Sequence, residues 1–168
     1  MIEMMIACLV LLVGFIGGLA LVLTSIKNDR RDKVDSTATI LSQMVTEMVM
    51  SVPANSSSSA TITDCNPSTS SASHTISTTG SSSGAGAPLT SGGQIDFTQS
   101  EVTGYSMTFY SCQASTGDRQ ALYDIRWNIK TISENSKLVT VAARSSNTST
   151  DANQFATIPL TLKTIVGG

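Results

Sequence analysis

Three hydrophobic rhythms follow one another along this chain. From Met4 to Ile26 no charged residue interrupts an apolar run, which as a helix at ~1.5 Å per residue reaches roughly 35 Å, slightly more than the ~30 Å hydrocarbon layer of a bilayer. That run predicts a membrane-spanning helix. Behind it come Lys27, Asp29, Arg30, Arg31, Asp32, Lys33 and Asp35, after which Val34, Ala38, Leu41, Val45, Met48 and Val52 recur at steps of four and three, the spacing of one helical face. Ser42 lies largely off that face, Met44, Met48 and Met50 read as core filler rather than metal ligands, and Pro53 stops the helix. Gly14, Gly17 and Gly18 are its weak point, since glycine costs about 1 kcal/mol relative to alanine in a helix interior.

The third rhythm has period two. Ile95 and Phe97, then Tyr105, Met107 and Phe109, then Tyr123, Ile125, Trp127 and Ile129 occupy every second position, and Asp124, Arg126, Asn128 and Lys130 alternate against the last set. The alternation predicts antiparallel strands with one wet face. Ser133 to Ser136 reads as a turn into a strand through Val139, Val141 and Ala143, and a last strand runs around Ile158, Leu160 and Leu162, with Pro159 at its start. Between helix and strands, Asn55 to Gly93 is Ser, Thr, Gly and Ala with almost no bulky apolar residue, and it reads as a long irregular surface loop. The expected division is therefore 1–26 apolar helix, 27–53 amphipathic helix, 54–93 Ser/Thr-rich loop and 94–168 β-sheet head. The fold class is α+β, a long N-terminal helix packed on an antiparallel sheet of about four strands, with the helical stripe facing the Phe109/Trp127/Val141 side.

Composition narrows the chemistry. The chain has 168 residues and a net charge of −2, and no basic cluster outside residues 27 to 33, so it lacks an electrostatic footprint for nucleic acid. Cys8 lies in the apolar run, leaving Cys65 and Cys112 as either one disulfide or two unpaired thiols. A bond would need an oxidising compartment. Cys112 has the opposite parity to Met107 and Phe109, so a cystine there would lie on the outer face of the sheet and pin the Ser/Thr loop. His74, the single histidine, has no Cys, Asp or Glu cluster of metal-ligand spacing beside it and reads as solvated. There is no Gly-rich phosphate loop and no base for a nucleophilic serine, and Asp151-Ala152-Asn153 lacks the repeated acidic spacing of a calcium loop. The reading is a protein that is not an enzyme, with no metal and no cofactor.

Met1-Ile2-Glu3-Met4-Met5-Ile6-Ala7, followed by the Leu/Val/Ile/Gly run and a polar helical extension, resembles the mature N-terminus of type IV pilins. In that family the processed, methylated N-terminus carries a glutamate at the fifth position; here Glu3 is third. The sheet-like half, especially Tyr123 to Ile132, is also similar to the pilus-modification subgroup of pilins. The resemblance implies a subunit stored in the inner membrane, processed by a prepilin peptidase and polymerised with identical subunits by a pilus assembly machine. The product is an extracellular filament used in adhesion, surface motility or DNA uptake. It further implies that Glu3 pairs with a neighbour's terminal amine during assembly, against the plainer reading of a carboxylate held in the headgroups. Gly14, Gly17 and Gly18 would unwind in the filament while staying helical in the membrane. The positive charges at 27–33 conflict with an exported C-terminal half, and a basic leader removed on processing would resolve that conflict. Two other roles fit the same residues: a minor or priming pilin, and a monomeric membrane-tethered binding module. Exposed hydroxyls at 55–93 and 145–151 lead to an expectation of O-linked glycan.

Overall fold

The computed structural model describes residues 2–66, 72–112, 121–146 and 159–167, apart from the side chains of residues 30 and 31. One helix, α1 (Ile2–Met50), fills the first fifty positions. Its first turn carries Glu3, the charge sign that the helix N-terminus favours. It passes through Gly14, Gly17 and Gly18 without a break. At its end the Ser51 N–H bonds to the Glu47 carbonyl, and Ser51 Oγ donates to the Met48 carbonyl, which satisfies two of the last orphan acceptors before Pro53.

The chain forms two compact units, Met1–Ser36 and Thr37–Gly168. The first is helix alone, and every side chain described from Ile2 to Asp29 is exposed. In the second, the last turns of α1 bury Ala38, Leu41, Val45 and Val49. This stripe is wider than the expected one, because Ser42 and Thr46 are buried with it while Met48 is only half-buried. Thr46 solves its burial by donating to the Ser42 carbonyl at 2.8 Å, the back-bond that lets a hydroxyl sit inside a helix interface.

Among the described residues the main sheet has five strands, one of them two residues long, against the expected four or so. β3 (Ala85–Gly86), β4 (Ser106–Tyr110), β5 (Leu122–Ser133), β6 (Ser136–Ser145) and β7 (Leu160–Gly167) are antiparallel, in the order β3-β5-β6-β7, with β4 pairing the other end of β5. Registers such as Trp127↔Val141 and Val141↔Leu162 put the odd-numbered apolar positions of β5 and β6 on one face. There Ile125, Trp127, Ile129, Val139 and Val141 have no exposed surface. Only Glu134 and Asn135 separate β5 from β6, a tighter turn than the strand pattern requires.

Two regions differ from the sequence reading. The Ser/Thr-rich stretch is not an irregular loop, because it contains an antiparallel hairpin, β1 (Ser59–Thr63) with β2 (Ser73–Ser77), which buries Ile62 and Ile76. Thr61-Ile62-Thr63 and Thr75-Ile76-Ser77 alternate as strands should, and threonine is itself a strand former. The second difference concerns the sheet face bearing Asp124, Arg126 and Asn128, which is covered rather than wet. All three are about 5% exposed, and Ala87, Ile95 and Phe97 pack there against Ala142. Gly86 makes that close approach feasible. Its φ is +103°, and a Cβ would stand 2.5 Å from both the Trp127 carbonyl and the Tyr105 ring, so no other residue fits. The 145–151 loop beyond Ser146, the Asp151-Ala152-Asn153 turn and Ile158 lie outside the described residues.

Candidate functional site

The apolar segment of α1 is the feature that demands a partner. An 18-residue window within it has a mean hydropathy of 2.9 and is 0% buried, so by length and composition the helix can cross a membrane. Phe15, Leu19 and Leu23 are each more than half exposed. Gly14 and Gly18 leave a shallow groove lined with Leu11, Phe15, Leu19 and Val22, with nothing within 4 Å of where either glycine's Cβ would be. Two glycines four apart in an apolar helix let another helix backbone approach. Glu3 and Cys8 are both exposed on this segment, and the next cation along the sequence is Lys27, roughly 36 Å away at helical rise.

Among the described residues the head holds three polar clusters, each built by a different device. The first is Asp64, whose side chain is wholly enclosed. Oδ1 accepts the Ala72 N–H at 2.9 Å and the Asn66 N–H at 3.2 Å, and Oδ2 accepts the Tyr110 N–H at 3.1 Å. His74 Nε2 lies 3.2 Å from Oδ2, and its ring leans on Phe109. Burial alone would raise the pKa of this carboxyl, but the backbone bonds from Ala72 and Tyr110, with the His74 contact, outweigh it and hold the group below its ordinary value, as expected for a carboxylate that accepts several N–H bonds. Next to it the disulfide Cys65–Cys112, with Cα atoms 5.0 Å apart, ties the hairpin to the end of β4. The cystine thus does fasten the Ser/Thr-rich region. His74, read from sequence as solvated, is instead largely buried against Asp64.

The second cluster is a buried ion network. Asp124 receives Arg126 through Nε at 2.9 Å and Nη2 at 3.0 Å, and Arg144 through Nε at 3.2 Å and Nη2 at 2.9 Å. Both guanidinium carbons stand over the Phe97 ring, at 5.1 and 4.4 Å, and Arg126 Nη1 donates to the Gln99 carbonyl. The arrangement fixes the covering segment to the sheet by charge and by cation–π contact. The third is Lys137, 5% exposed, which donates to the carbonyls of Thr78 at 3.0 Å and Ser56 at 3.3 Å. Burial pushes its pKa down. In all three clusters the charged side chains are met by groups of the chain itself. Among the described residues, no group of three His, Cys, Asp or Glu side chains is placed to hold a metal ion.

No family model, no curated protein sequence and no solved structure matches this chain. Of the residues singled out by sequence, Glu3, Gly14, Gly17 and Gly18 lie on the exposed helix, and Cys65 and Cys112 meet in the head. Sequence reasoning missed Asp64 and Lys137. Asp64-Cys65-Asn66-Pro67 carried a signal, since aspartate commonly accepts a backbone N–H two residues on. Lys137 gave none.

Proposed function

We propose that this chain is a structural subunit of a type IV pilus-like extracellular filament, pilin-like in fold, stored in the inner membrane and polymerised through its N-terminal helix. The observation that carries the reading is one helix of 49 residues whose first half is apolar and uncovered and whose last turns belong to a folded head. A signal sequence would share the first property without the second. The resemblance of residues 1–7 to mature pilins supports the same reading. In the filament the partners are identical subunits, and apolar helices replace lipid around each span.

Glu3 supplies the residue-level test. A carboxylate at membrane depth costs roughly 2.5 to 3.5 kcal/mol even on permissive scales, and an amine from a neighbouring subunit would offset that cost and set axial register. Glu3→Ala should leave insertion and the head intact while lowering incorporation into sheared high-molecular-weight material at least tenfold at equal expression. Wild-type yield from the variant would make the carboxylate an interfacial bystander. Shearing also separates the alternatives. A tethered monomeric binding module stays with the membrane, and immunolabelling confined to filament tips marks a minor or priming subunit.

A further inference from the structure

The chain on both sides of the Cys65–Cys112 bond is held by hydrogen bonds that do not involve sulfur. On the hairpin side Asp64 exchanges two bonds with Ala72: its N–H donates to the Ala72 carbonyl at 2.9 Å, and its Oδ1 accepts the Ala72 N–H at 2.9 Å. On the β4 side residues 64 and 65 take both main-chain groups of Tyr110. The Tyr110 N–H donates to Asp64 Oδ2 at 3.1 Å, and the Tyr110 carbonyl accepts the Cys65 N–H at 3.3 Å. Ser111 is held in turn, its N–H donating to the Ala121 carbonyl at 3.0 Å and its Oγ accepting the Ala121 N–H at 3.1 Å. The backbone is thereby set at Cys65 and up to the residue before Cys112, with the two Cα atoms 5.0 Å apart, inside the ~4.4–6.8 Å that a disulfide spans. The two sulfurs differ in setting. Cys112 is exposed, whereas Cys65 is half-buried and follows directly on the wholly enclosed carboxylate of Asp64.

We infer that Asp64 is a positioning residue for the disulfide: it holds the two cysteines ready to bond before oxidation, and it protects the bond from reduction afterwards. Oxidation requires a partner disulfide, small-molecule or protein, as the electron acceptor. The thiolate of exposed Cys112, its proton lost to solvent, attacks one sulfur of that partner, and the partner's other sulfur leaves as a thiolate. The Cys65 thiolate, likewise deprotonated, then attacks Cys112 Sγ, which forms the Cys65–Cys112 bond and releases the partner's second thiolate. The two cysteines give up two electrons and two protons, and the partner becomes two thiols. In an unfolded chain the second attack must close a loop of 47 positions, at a cost in chain entropy. In the head the bonds through Asp64 have already brought the ends together, so the thiols meet at high effective concentration. Reduction runs the other way. A thiolate reaches exposed Cys112 first, and the group expelled is the Cys65 thiolate beside the Asp64 carboxylate. A like charge there raises the pKa of the leaving thiol, and a thiol of higher pKa leaves more slowly. The inference concerns the head alone and does not require the filament reading.

The test is a thiol–disulfide equilibrium. The full chain in detergent micelles, in a Cys8→Ser background so that only this pair reacts, is equilibrated with reduced and oxidised glutathione at neutral pH and quenched with acid. Mass spectrometry then counts bonded, glutathionylated and free forms, and circular dichroism follows the fold. Asp64→Asn removes the charge and the acceptor for the Tyr110 N–H. It should lower the effective concentration of the two thiols at least tenfold and speed reduction of the bond by glutathione. Asp64→Glu keeps the charge but misplaces the oxygens by a methylene, and should lower the effective concentration while reduction stays slow, which keeps the test open even where Asp64→Asn does not fold. Trp127→Phe loses the Nε1–H bond to Ser77, at the end of the hairpin opposite to Asp64, and so weakens the head without touching the cysteines. It should leave both readings at wild type. Wild-type effective concentrations in the Asp64 variants, or an equal fall in Trp127→Phe, would show that the fold at large sets the pair and would overturn the role of Asp64.

Discussion

The apolar helix of residues 2–26 and the head differ in a way opposite to the usual partition of residue types. The helix holds the most hydrophobic stretch of the chain and covers none of it, whereas the head encloses Asp64, Asp124, Arg126, Asn128 and Lys137. A soluble domain exposing twenty-odd contiguous apolar residues would far exceed the patch sizes that monomers tolerate, so the helix is finished only by a medium it does not contain. The head is finished internally, because each buried charge meets a counter-charge or a backbone group, without which burial costs several kcal/mol. Hydrophobicity therefore marks where a partner is needed, and buried polarity marks where the fold has closed on itself.

The sharpest way to break that contrast is to make the same kind of truncation in both regions. Trp127 is 0% exposed, meets the Tyr105 ring at a tilt with centroids 6.3 Å apart, and donates Nε1–H to the Ser77 carbonyl at 3.1 Å. Trp127→Ala should destabilise the head by about 4–5 kcal/mol, the top of the range for aromatic truncation, because a buried acceptor is orphaned as well as a cavity opened. Phe15→Ala, on the exposed helix, should leave the unfolding midpoint of the head unchanged. Chemical denaturation in detergent, followed by tryptophan fluorescence for Phe15→Ala and by circular dichroism for both, measures each. A matching loss from Phe15→Ala would mean that the helix is packed after all.

Legibility in the sequence followed the same division. The apolar helix, the amphipathic continuation and strands β4 to β6 were readable because apolar periodicity dominates there, and the observed registers keep the alternation read from Tyr123 to Ile129. The hairpin was hidden because Ile62 and Ile76 are single apolar residues in runs of Ser and Thr, a composition that also describes disorder. The covered face was misread because Asp124 and Arg126 look like solvent-facing alternation until Phe97 and Arg144 arrive from elsewhere in the chain. Whether a charge lies outside or is paired inside is a long-range property, and a local pattern carries no information on it. The uncovered helix was legible as one long and apolar enough to cross a membrane but not as to its partner, since lipid and other helices ask for the same residues.

The next effect in size belongs to the disulfide. Cys65 and Cys112 are 47 positions apart, and opening a loop of that length should cost about 4 kcal/mol in the chain-entropy model. The loss should fall on the head alone. The double Cys→Ser variant should unfold at lower denaturant with α1 helicity in micelles unchanged, and adding reductant to wild type should reproduce most of the shift. Recovery of both cysteines as alkylatable thiols from freshly collected protein would remove the bond from the argument.

The smallest effect is also the most specific. Asp64→Asn keeps the shape of the side chain and one oxygen, which can go on accepting from Ala72 and Asn66, but turns an NH₂ group toward the Tyr110 N–H, so that two donors face each other inside the protein. Bonds to a charged acceptor contribute about 1.5–3 kcal/mol, and the variant should lose roughly 2–3 kcal/mol at neutral pH. The sign of the pH dependence follows from the direction of the shift. Because the folded-state pKa of Asp64 is held below its ordinary value, its contribution is fully present above the unfolded value of about 3.9 and drains away as pH falls through the lower, folded value. The stability gap between wild type and Asp64→Asn should accordingly be constant from pH 7 down to about pH 5 and shrink below about pH 4. Taking the difference cancels the titrating groups that do not touch Asp64, and making the comparison in a His74→Gln background removes the one that does. A gap that widened in acid would mean that the carboxyl is held protonated in the folded head, and the three N–H bonds would then not be what keeps it there.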